Sequence, residues 1–412
     1  MTAEPASPRH GPTLTVVVPV LDEEEAIGAT LIRCLEARPH LVGEAGVAEV
    51  RFVVVSDGST DRTAAIARSF VGVEVMELTE NRGYGAAIKA GWEAAPAELL
   101  GFMDADGTCD PRFFAPLCRA VIEGGHDLAL GGRMGAQSRM PAIRRLGNTL
   151  FAALLGHLAR QTVRDTASGM RVLRREALPR LLPLPDGLHF TPAMSARALV
   201  DGELRVAELE MPYQERIGRS KLAVVGDGLR FLHVILAAVA YVRLSRLSVP
   251  LVALLTLAAA TLVARPALLY LAQRRLEEWM FYRVALALTL STVALVLLCA
   301  TIVAEHVSAL VHLRYERFSP GRRGLWRYEN LRALAGLGLA LGVLAALLNA
   351  EGVRQMMTSG QVTLHWSRVM LGGFFTVDVA VIASTVGLLK LVRALHGRQP
   401  YLQEGARAPL RS

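Results

Sequence analysis

Residues 99–106 have the sequence LLGFMDAD, in which an apolar run ends in two aspartates two positions apart. Similar short runs, rich in β-branched residues, alternate with helical stretches on either side of it. These runs are LTVVVPV (14–20), VRFVVVS (50–56), VEVMEL (73–78) and DLALGG (127–132). Strands that alternate with helices are typical of a parallel α/β sheet. We therefore predict an α/β fold and expect ligands at the carboxyl ends of its strands.

The second half of the chain differs in composition from the first. Residues up to about Lys221 are charged and globular in character, whereas long runs of Leu, Ala and Val dominate the rest. The mean hydropathy of the chain is +0.35, which is higher than a soluble enzyme usually has. Four segments are each close to the ~20 residues needed to cross a bilayer. These predicted spans are Ser248–Ala272, Phe281–Ala304, Leu331–Ala350 and Val369–Val392.

Basic residues indicate which ends of the spans face the cytoplasm. They occur in the loop between the second and third spans (Arg314, Arg317, Arg322, Arg323, Arg327) and near the carboxyl terminus (Arg393, Arg398, Arg407, Arg411). The positive-inside rule predicts that both regions are cytoplasmic. An even number of spans then returns the amino terminus to the same side, and the first dozen residues have no apolar segment typical of a signal peptide. We expect the first domain in the cytoplasm.

Charge and cysteine content narrow the range of partners. The net charge of +8 suits anionic lipid headgroups or phosphates, and no basic run with interleaved aromatic residues suggests nucleic acid. The four cysteines, Cys34, Cys109, Cys118 and Cys299, lack the spacing of metal ligands. We predict free thiols in a reducing compartment.

Ionisable residues and glycines inside the spans raise two questions about helix packing. Arg265 and Asp378 are predicted at similar depths in the first and fourth spans, so an ion pair between them is one hypothesis. The alternative is that Arg265 extends to the headgroups while Asp378 stays protonated. Gly338 and Gly342 form a GxxxG motif, which packs helices either within this chain or between subunits of a homo-oligomer.

Asp104 and Asp106 are the first candidates for chemistry. In extended backbone, side chains two residues apart point to the same side. Two carboxylates with open coordination positions are a usual way to hold Mg²⁺ or Mn²⁺ when a substrate diphosphate supplies further oxygens. A solvated acidic turn would have the same sequence, but other signals fall at the same edge of the sheet.

Two of those signals follow neighbouring strands. Asp57 comes directly after VRFVVVS, where its carboxylate can accept a hydrogen bond from a nucleobase or ribose; simple helix capping is the alternative. The stretch NRGYGAAIKAG places Gly83 and Gly85 before a helix whose amino terminus favours anions. Neither signal is specific alone.

In combination, the motifs resemble those of the family-2 inverting glycosyltransferases, which have the Rossmann-like GT-A fold. Within that family the chain is most similar to the group of dolichol-phosphate mannose synthases and polyprenyl-phosphate glycosyltransferases. The motifs, in chain order, are VVVPVLDEEE, SDGSTD, ENRGYGAAIKAG, DADGTCDP, GGRM, RDTASGMR and ERIGRSKL. The resemblance covers about residues 14–247.

Composition, hydropathy and the resemblance together predict an order of domains. We expect a disordered tail at 1–12, followed by a GT-A glycosyltransferase domain at 13–222. A juxtamembrane helix at 223–247, lying in the membrane interface, then leads to a transmembrane domain at 248–395 and a cytoplasmic tail at 396–412.

The resemblance also implies roles for individual residues. The metal and the donor diphosphate would be held by Asp104 and Asp106. The donor would further contact Pro19, Glu23, Asp57 and Lys89. The acceptor phosphate would be held by Arg133, Arg164 and Ser168, and a mobile loop with Arg216, Ser220 and Lys221 would close over the reacting groups. Arginine forks suit phosphate oxygens.

The reaction implied is inverting transfer of a sugar from a nucleotide-diphosphate sugar, of the GDP-mannose or UDP-glucose type, to a polyprenyl phosphate. The acceptor phosphate is already anionic, so it needs no protein base. Leu21, Asp22 and Thr108 depart from the family pattern and leave the nucleotide and sugar open. A processive polysaccharide synthase is one alternative, although the QxxRW motif is absent. A non-catalytic membrane scaffold is another, against which the retained acidic and basic residues argue.

Overall fold

The computed structural model describes residues 11–135, 138–159, 161–217, 224–273, 277–311 and 330–407. The chain divides into two compact units, Met1–Val239 and Ala240–Ser412. Most of the predicted amino-terminal tail lies outside the described residues.

The first unit is built on a seven-stranded mixed sheet of order β3-β2-β1-β4-β6-β5-β7. Its strands are β1 (Thr13–Val20), β2 (Glu49–Asp57), β3 (Glu74–Leu78), β4 (Leu99–Phe102), β5 (Leu128–Gly132), β6 (Arg171–Arg174) and β7 (Val206–Glu210). All neighbouring strands are parallel except that β6 runs antiparallel to β4 and to β5. The α/β prediction is confirmed, while a purely parallel sheet is wrong at β6. The RVLR sequence of β6 has an arginine at each end and lacks the apolar run that marked the other strands.

The described residues up to Arg243 form eight α-helices. They are α1 (Ile27–Glu44), α2 (Thr63–Arg68), α3 (Tyr84–Ala94), α4 (Phe114–Ile122), α5 (Ala142–Ala159), α6 (Leu178–Leu181), α7 (Phe190–Asp201) and α8 (Val224–Arg243). Of these, α1 and α4 cover one face of the sheet and α3 and α7 the other. In β1, Val16 and Val18 belong to the core cluster under α1 and α4, whereas Val17 belongs to the cluster under α3 and α7. Successive strand side chains point to opposite faces, so one apolar run serves both cores.

All four cysteines are free, as predicted, and all four are buried. Burial raises the pKa of the Cys34 and Cys118 thiols to about 12. These thiols are therefore protonated near neutral pH and behave as small apolar side chains of the core.

The second unit contains four helices that are long and apolar enough to cross a membrane, in agreement with the four predicted spans. They are α9 (Ser245–Gln273), α10 (Phe281–Val311), α11 (Asn330–Ser359) and α12 (Trp366–Arg407). Helix α12 continues through residues 396–407, which the sequence assigned to a tail. The basic loop with Arg314–Arg327 lies outside the described residues.

Close glycine contacts pack α11 against α12. A Cβ atom at Gly338 would lie 2.8 Å from Cγ2 of Ile382, and one at Gly342 would lie 3.8 Å from Cγ2 of Val379. Both partners belong to α12 of the same chain. The GxxxG motif therefore serves packing within this unit, because small residues let two helix backbones approach closely.

The hypothesis of an Arg265–Asp378 ion pair is wrong. The carboxylate of Asp378 accepts a hydrogen bond of 2.8 Å from the hydroxyl of Thr292 on α10. The guanidinium of Arg265 lies 5.0 Å from the ring centroid of Trp279. Arg265 and Asp378 were predicted at similar depths in the membrane, but Asp378 lies on the side of α12 that faces α10.

Aromatic side chains gather at one end of these helices. The Phe281 ring lies 5.7 Å from that of Tyr282 and 5.3 Å from that of Trp366. These residues begin α10 and α12, and Trp279 precedes α10. Trp and Tyr are enriched where transmembrane helices meet the membrane–water interface, so this cluster is typical of an interfacial aromatic belt.

We expect Gly338→Leu to destabilise the second unit. The new side chain would collide with Ile382, and overpacking of this kind costs about 1–3 kcal/mol. Thermal unfolding of the purified protein in detergent measures the effect. Gly336→Leu is the matched control, since a Cβ atom at Gly336 meets nothing within 4 Å; equal melting temperatures for the two variants would contradict the packing assignment.

Candidate active site

A cavity of about 640 Å³ opens at the carboxyl edge of β1, β2 and β4. Its other walls include residues 187–191, parts of α5 and α8, and residues near Arg133, Gly169 and Arg216, and all of these lie within the first unit. The predicted site residues that line it are Pro19, Glu23, Asp57, Asp104, Asp106, Arg133 and Arg216. The edge predicted from the strand ends is therefore where the polar groups meet.

Asp104 and Asp106 follow β4 and both line the cavity. Oδ1 of Asp106 accepts hydrogen bonds from the backbone N–H of Thr108 at 3.1 Å and from its hydroxyl at 2.6 Å. Burial, and then the nearby charge of Asp106, raises the pKa of Asp104 to about 6. Two carboxylates in a poorly solvated place repel each other, and a bound cation would relieve that repulsion.

The chemistry of this pair fits a hard divalent cation. Asp104 and Asp106 would supply carboxylate oxygens, which Mg²⁺ and Mn²⁺ prefer. Among the described residues, no group of three or more His, Cys, Asp or Glu side chains forms a closed metal cage. A cation held by two carboxylates would keep positions open for diphosphate oxygens.

Two residues that sequence reasoning missed hold Asp104 in place. The hydroxyl of Tyr84 donates a hydrogen bond of 2.7 Å to Oδ1 of Asp104. Burial, and then the charge of Asp104, raises the pKa of Tyr84 well above its usual value, so its proton stays available for this bond. On the other side, a Cβ atom at Gly169 would lie 2.0 Å from Oδ2 of Asp104. The carboxylate rests against a backbone where only glycine fits.

Asp57 connects β2 to the glycine turn before α3. Its two carboxylate oxygens accept hydrogen bonds from the backbone N–H groups of Arg82 at 2.7 Å and Gly83 at 2.8 Å. Gly83 has φ of 107°, a conformation that favours glycine. Each carboxylate oxygen has a second lone pair, so Asp57 can still accept from a ligand in the cavity.

Arg216 links two acidic groups of the site. Its guanidinium lies 2.8 Å from Oε1 of Glu23 and 3.4 Å from Oδ2 of Asp106. Arg216, which was predicted on the mobile loop, therefore contacts Glu23 and Asp106 although it lies more than a hundred residues after them in the chain. Ser220 and Lys221, predicted on the same loop, lie outside the described residues.

Arg133 forms a buried, two-pronged ion pair with Asp165. Its Nε and Nη2 atoms donate to the Asp165 carboxylate at 2.6 and 2.9 Å. Burial alone would raise the pKa of Asp165, but the charge and hydrogen bonds of Arg133 outweigh it and hold that pKa below its usual value. Asp165 was missed, although it directly follows Arg164 in the motif RDTASGMR.

Two predicted acceptor residues do not line the cavity. Arg164 is exposed, and its backbone N–H donates to Glu208 at 2.6 Å. Ser168 is fully buried, and its hydroxyl donates to the carbonyl of Gly131 at 2.6 Å. Neither side chain is brought to the cavity, so the phosphate role that the resemblance implies for them lacks structural support.

Lys89 is also absent from the cavity wall. Its ammonium group lies 2.6 Å from Asp186 and donates to the carbonyl of Leu184 at 2.8 Å. Lys89 thereby fixes α3 to the segment that leads into α7. Lys89 would therefore affect a bound donor only by holding this segment in position.

The end of the cavity bordered by α5 and α8 was not predicted. Arg144, Arg230 and His189 line it together with the apolar side chains of Ile143, Phe151 and Phe231. The Phe151 and Phe231 rings lie 6.1 Å apart in an edge-on arrangement that joins the two helices. The Arg144–Arg145 pair at the start of an amphipathic helix was the signal available in the sequence.

Comparisons with known proteins show the family to which the chain belongs. Residues 15–182 match the family model described as Glycosyl transferase family 2. Dolichyl-phosphate hexose transferase of Haloferax volcanii is 36% identical over 225 residues, which cover 52% of this chain and 89% of that protein. Polyprenol monophosphomannose synthase of Mycolicibacterium smegmatis is 32% identical over 239 residues, covering 53% of this chain and 84% of that protein.

Among solved structures, the chain is similar to glucosyl-3-phosphoglycerate synthase from Mycobacterium tuberculosis in complex with Mn²⁺, uridine diphosphate and phosphoglyceric acid. The TM-score is 0.46 at 21% identity, and the match covers 56% of this chain and 80% of that chain.

We expect Gly169→Ala to lower the catalytic rate about 100-fold while preserving the fold. The added methyl group would displace the Asp104 carboxylate, and a shift of about 1 Å at a reacting site can cost ~100-fold in rate. The rate of sugar transfer measures the loss of activity, and circular dichroism checks the fold. Gly43→Ala is the control, because a Cβ atom at Gly43 meets nothing within 4 Å; full turnover by Gly169→Ala would show that Asp104 needs no such support.

We expect Asp165→Asn to destabilise the first unit near neutral pH. Removing one partner of a buried ion pair leaves the Arg133 charge uncompensated, at a cost of about 3–5 kcal/mol. The folded-state pKa of Asp165 is depressed, so its contribution is present above its ordinary value of 3.8 and is lost as the pH falls below it.

Chemical denaturation of the wild type and of Asp165→Asn, at pH values from 7 down to below 3.8, tests this expectation. The difference between their free energies of unfolding should become smaller as the pH falls. Glu49→Gln, which removes an exposed ion pair with Arg51, should leave stability nearly unchanged. A gap that stays constant with pH would contradict the role of the ionised carboxylate.

Proposed function

Because this chain belongs to glycosyl transferase family 2, we propose that it transfers a sugar from a nucleotide-diphosphate sugar to a polyprenyl phosphate. The observation that carries this proposal is the composition of one cavity. An acidic pair and a glycine turn form one part of its wall, and arginines beside apolar side chains form another. A polar, diphosphate-bearing donor and an amphiphilic acceptor each find matching chemistry there.

The donor would bind along the strand ends. Pro19, Glu23 and Asp57 would face the nucleoside, and the glycine turn at Gly83 allows close approach of the backbone. Asp104 and Asp106 would hold Mg²⁺ or Mn²⁺. When bound, the cation would offset the negative charge that develops on the departing nucleoside diphosphate.

Transfer then depends on alignment of the reacting groups. A phosphate monoester is anionic near neutral pH, so it can attack the anomeric carbon without a protein base. Asp165 fixes the Arg133 guanidinium, which would orient the acceptor anion without having to reorganise. Attack from the side opposite the leaving group inverts the anomeric centre.

The names of the similar proteins support the acceptor class and leave the sugar open. One relative is named for a dolichyl phosphate and a hexose, and another for a polyprenol and mannose. A donor of the GDP-mannose or UDP-glucose type is consistent with both. Thr108, which departs from the family pattern, donates a hydrogen bond of 2.6 Å to Asp106, but it is buried and is not among the residues that line the cavity.

A membrane location suits the lipid acceptor. The four long apolar helices would anchor the chain, with the catalytic domain at 13–222 on the cytoplasmic side and the segment 223–247 in the interface. In the first unit, α5 exposes Ile143, Leu146 and Leu150, and α8 exposes Leu229. Exposed apolar faces beside basic residues are typical of helices that lie in a membrane surface.

The direct experiment uses the full chain purified in detergent. Labelled UDP-glucose and GDP-mannose are each offered with undecaprenyl phosphate and Mn²⁺ or Mg²⁺, and the lipid product is resolved by chromatography. We expect a lipid carrying a single sugar with one of the donors. A polymer would favour a processive synthase, and no lipid product from a broad donor panel would overturn the proposal.

We expect Asp106→Asn to abolish this transfer, because the change removes a charge that the cation needs while the volume stays the same. Product formation at saturating Mn²⁺ is the measurement. Asp110→Asn is the matched control from the same motif, since Asp110 only caps the short helix at Pro111–Phe113. Substantial turnover by Asp106→Asn would contradict the metal assignment.

A further inference from the structure

We infer that Arg216 competes with the divalent cation for one carboxylate oxygen of the site, Oδ2 of Asp106, and thereby sets the affinity of the protein for that cation. This inference deepens the proposed function and rests on its metal assignment. The resemblance gives Arg216 a place on a loop that closes over the reacting groups. Its contacts in this structure add a second part, in the binding of Mg²⁺ or Mn²⁺.

The first step concerns the oxygens of Asp106. Oδ1 accepts two hydrogen bonds from Thr108, one from the backbone N–H at 3.1 Å and one from the hydroxyl at 2.6 Å. A carboxylate oxygen has two lone pairs, and both are used here. Oδ2 is therefore the oxygen of Asp106 that a cation can use.

The second step is the position of Arg216 at that oxygen. Its Nη1 atom lies 3.4 Å from Oδ2 of Asp106, and the Asp106 side chain is only 8% exposed. A coordinated Mg²⁺ approaches an oxygen to about 2.0–2.1 Å. Two positive groups at one poorly solvated oxygen would repel each other strongly. The guanidinium and a bound cation therefore exclude each other at Oδ2.

The third step is the ease with which Arg216 can leave Asp106. The 3.4 Å contact is longer than the ~2.7–2.9 Å of a strong charge-assisted hydrogen bond. Nη2 of Arg216 donates to Oε1 of Glu23 at 2.8 Å, so the guanidinium keeps this partner when it moves away from Asp106. Within the described part of the chain, its Nε atom is buried without a hydrogen-bond partner. The contact with Asp106 is thus exchangeable.

The fourth step is the attachment of the backbone around Arg216. The N–H of Gln214 donates to the carbonyl of Thr108 at 3.1 Å, and the N–H of Ile217 donates to the carbonyl of Asp106 at 3.0 Å. Residues on both sides of Arg216 are therefore bound to the loop that carries Asp106. A competitor that is attached beside its target acts at a high effective concentration, so even a loose ion pair lowers the affinity for the cation.

The test measures Mn²⁺ binding to the full chain in detergent, without nucleotide, from the electron paramagnetic resonance signal of free Mn²⁺. We expect Arg216→Gln to tighten Mn²⁺ binding about tenfold, because the cation no longer displaces a charged group from Oδ2. Arg33→Gln is the matched control, since the Arg33 guanidinium donates to the carbonyls of Gly107 and Cys109 in the same loop. It removes an equal charge without opening Oδ2, so it should not tighten binding.

A second background tests the part played by Thr108. Thr108→Val removes the hydroxyl bond and opens one lone pair of Oδ1 on Asp106 to the cation. In that background Arg216→Gln should tighten Mn²⁺ binding less than in the wild type, because the cation has another oxygen to use. A general charge effect of Arg216 would give the same gain in both backgrounds, which would contradict competition at Oδ2.

The outcomes separate this inference from the proposed function. Equal Mn²⁺ affinity of the wild type and Arg216→Gln would overturn the inference alone, and so would an equal gain in Arg33→Gln. Mn²⁺ binding to the wild type that Asp106→Asn does not weaken would instead overturn the metal assignment of the proposed function. Circular dichroism checks that each variant is folded, and Arg216→Ala repeats the measurement if Arg216→Gln is not.

Discussion

The buried pairing of Asp165 with Arg133 is the interaction on which the site depends. Asp165 accepts hydrogen bonds from Arg133 at the end of β5, from Asn148 on α5 and from the backbone of Ala167. Three separate parts of the chain therefore meet at one carboxylate. The segment from Arg164 to Met170 also carries Gly169, against which Asp104 rests. The carboxylate pair and the arginine fork thus share one support.

Most of the fold could be predicted from the sequence because apolar runs mark buried strands regardless of their partners. The strand ends also indicated where Asp57, Asp104 and Asp106 would meet, since the carboxyl ends of parallel strands share an edge. Strand β6 was not predicted, because it contains the charged residue Arg171 where an apolar residue marks the other buried strands. That guanidinium is satisfied in part by the carbonyls of Ser168 and Thr166, which only the folded chain brings to it.

The site was predicted less completely, for a related reason. A motif gives the positions of residues but not the direction of their side chains. Arg133 and Arg164 were equivalent candidates in the sequence, yet one lines the cavity and the other is exposed. In the helical unit, hydropathy predicted the spans, but which helix faces which depends on local contacts such as Gly338 with Ile382. Depth alone could not give the partner of Asp378.

The burial of every cysteine has a practical consequence. The thiols of Cys34, Cys109 and Cys118 are protonated and shielded from solvent, so maleimide reagents would react with almost no natural cysteine of the folded chain. A cysteine introduced in a loop between two of the apolar helices would then react according to the side of the bilayer on which it lies. The natural sequence can therefore serve directly as the background for mapping membrane orientation in intact cells.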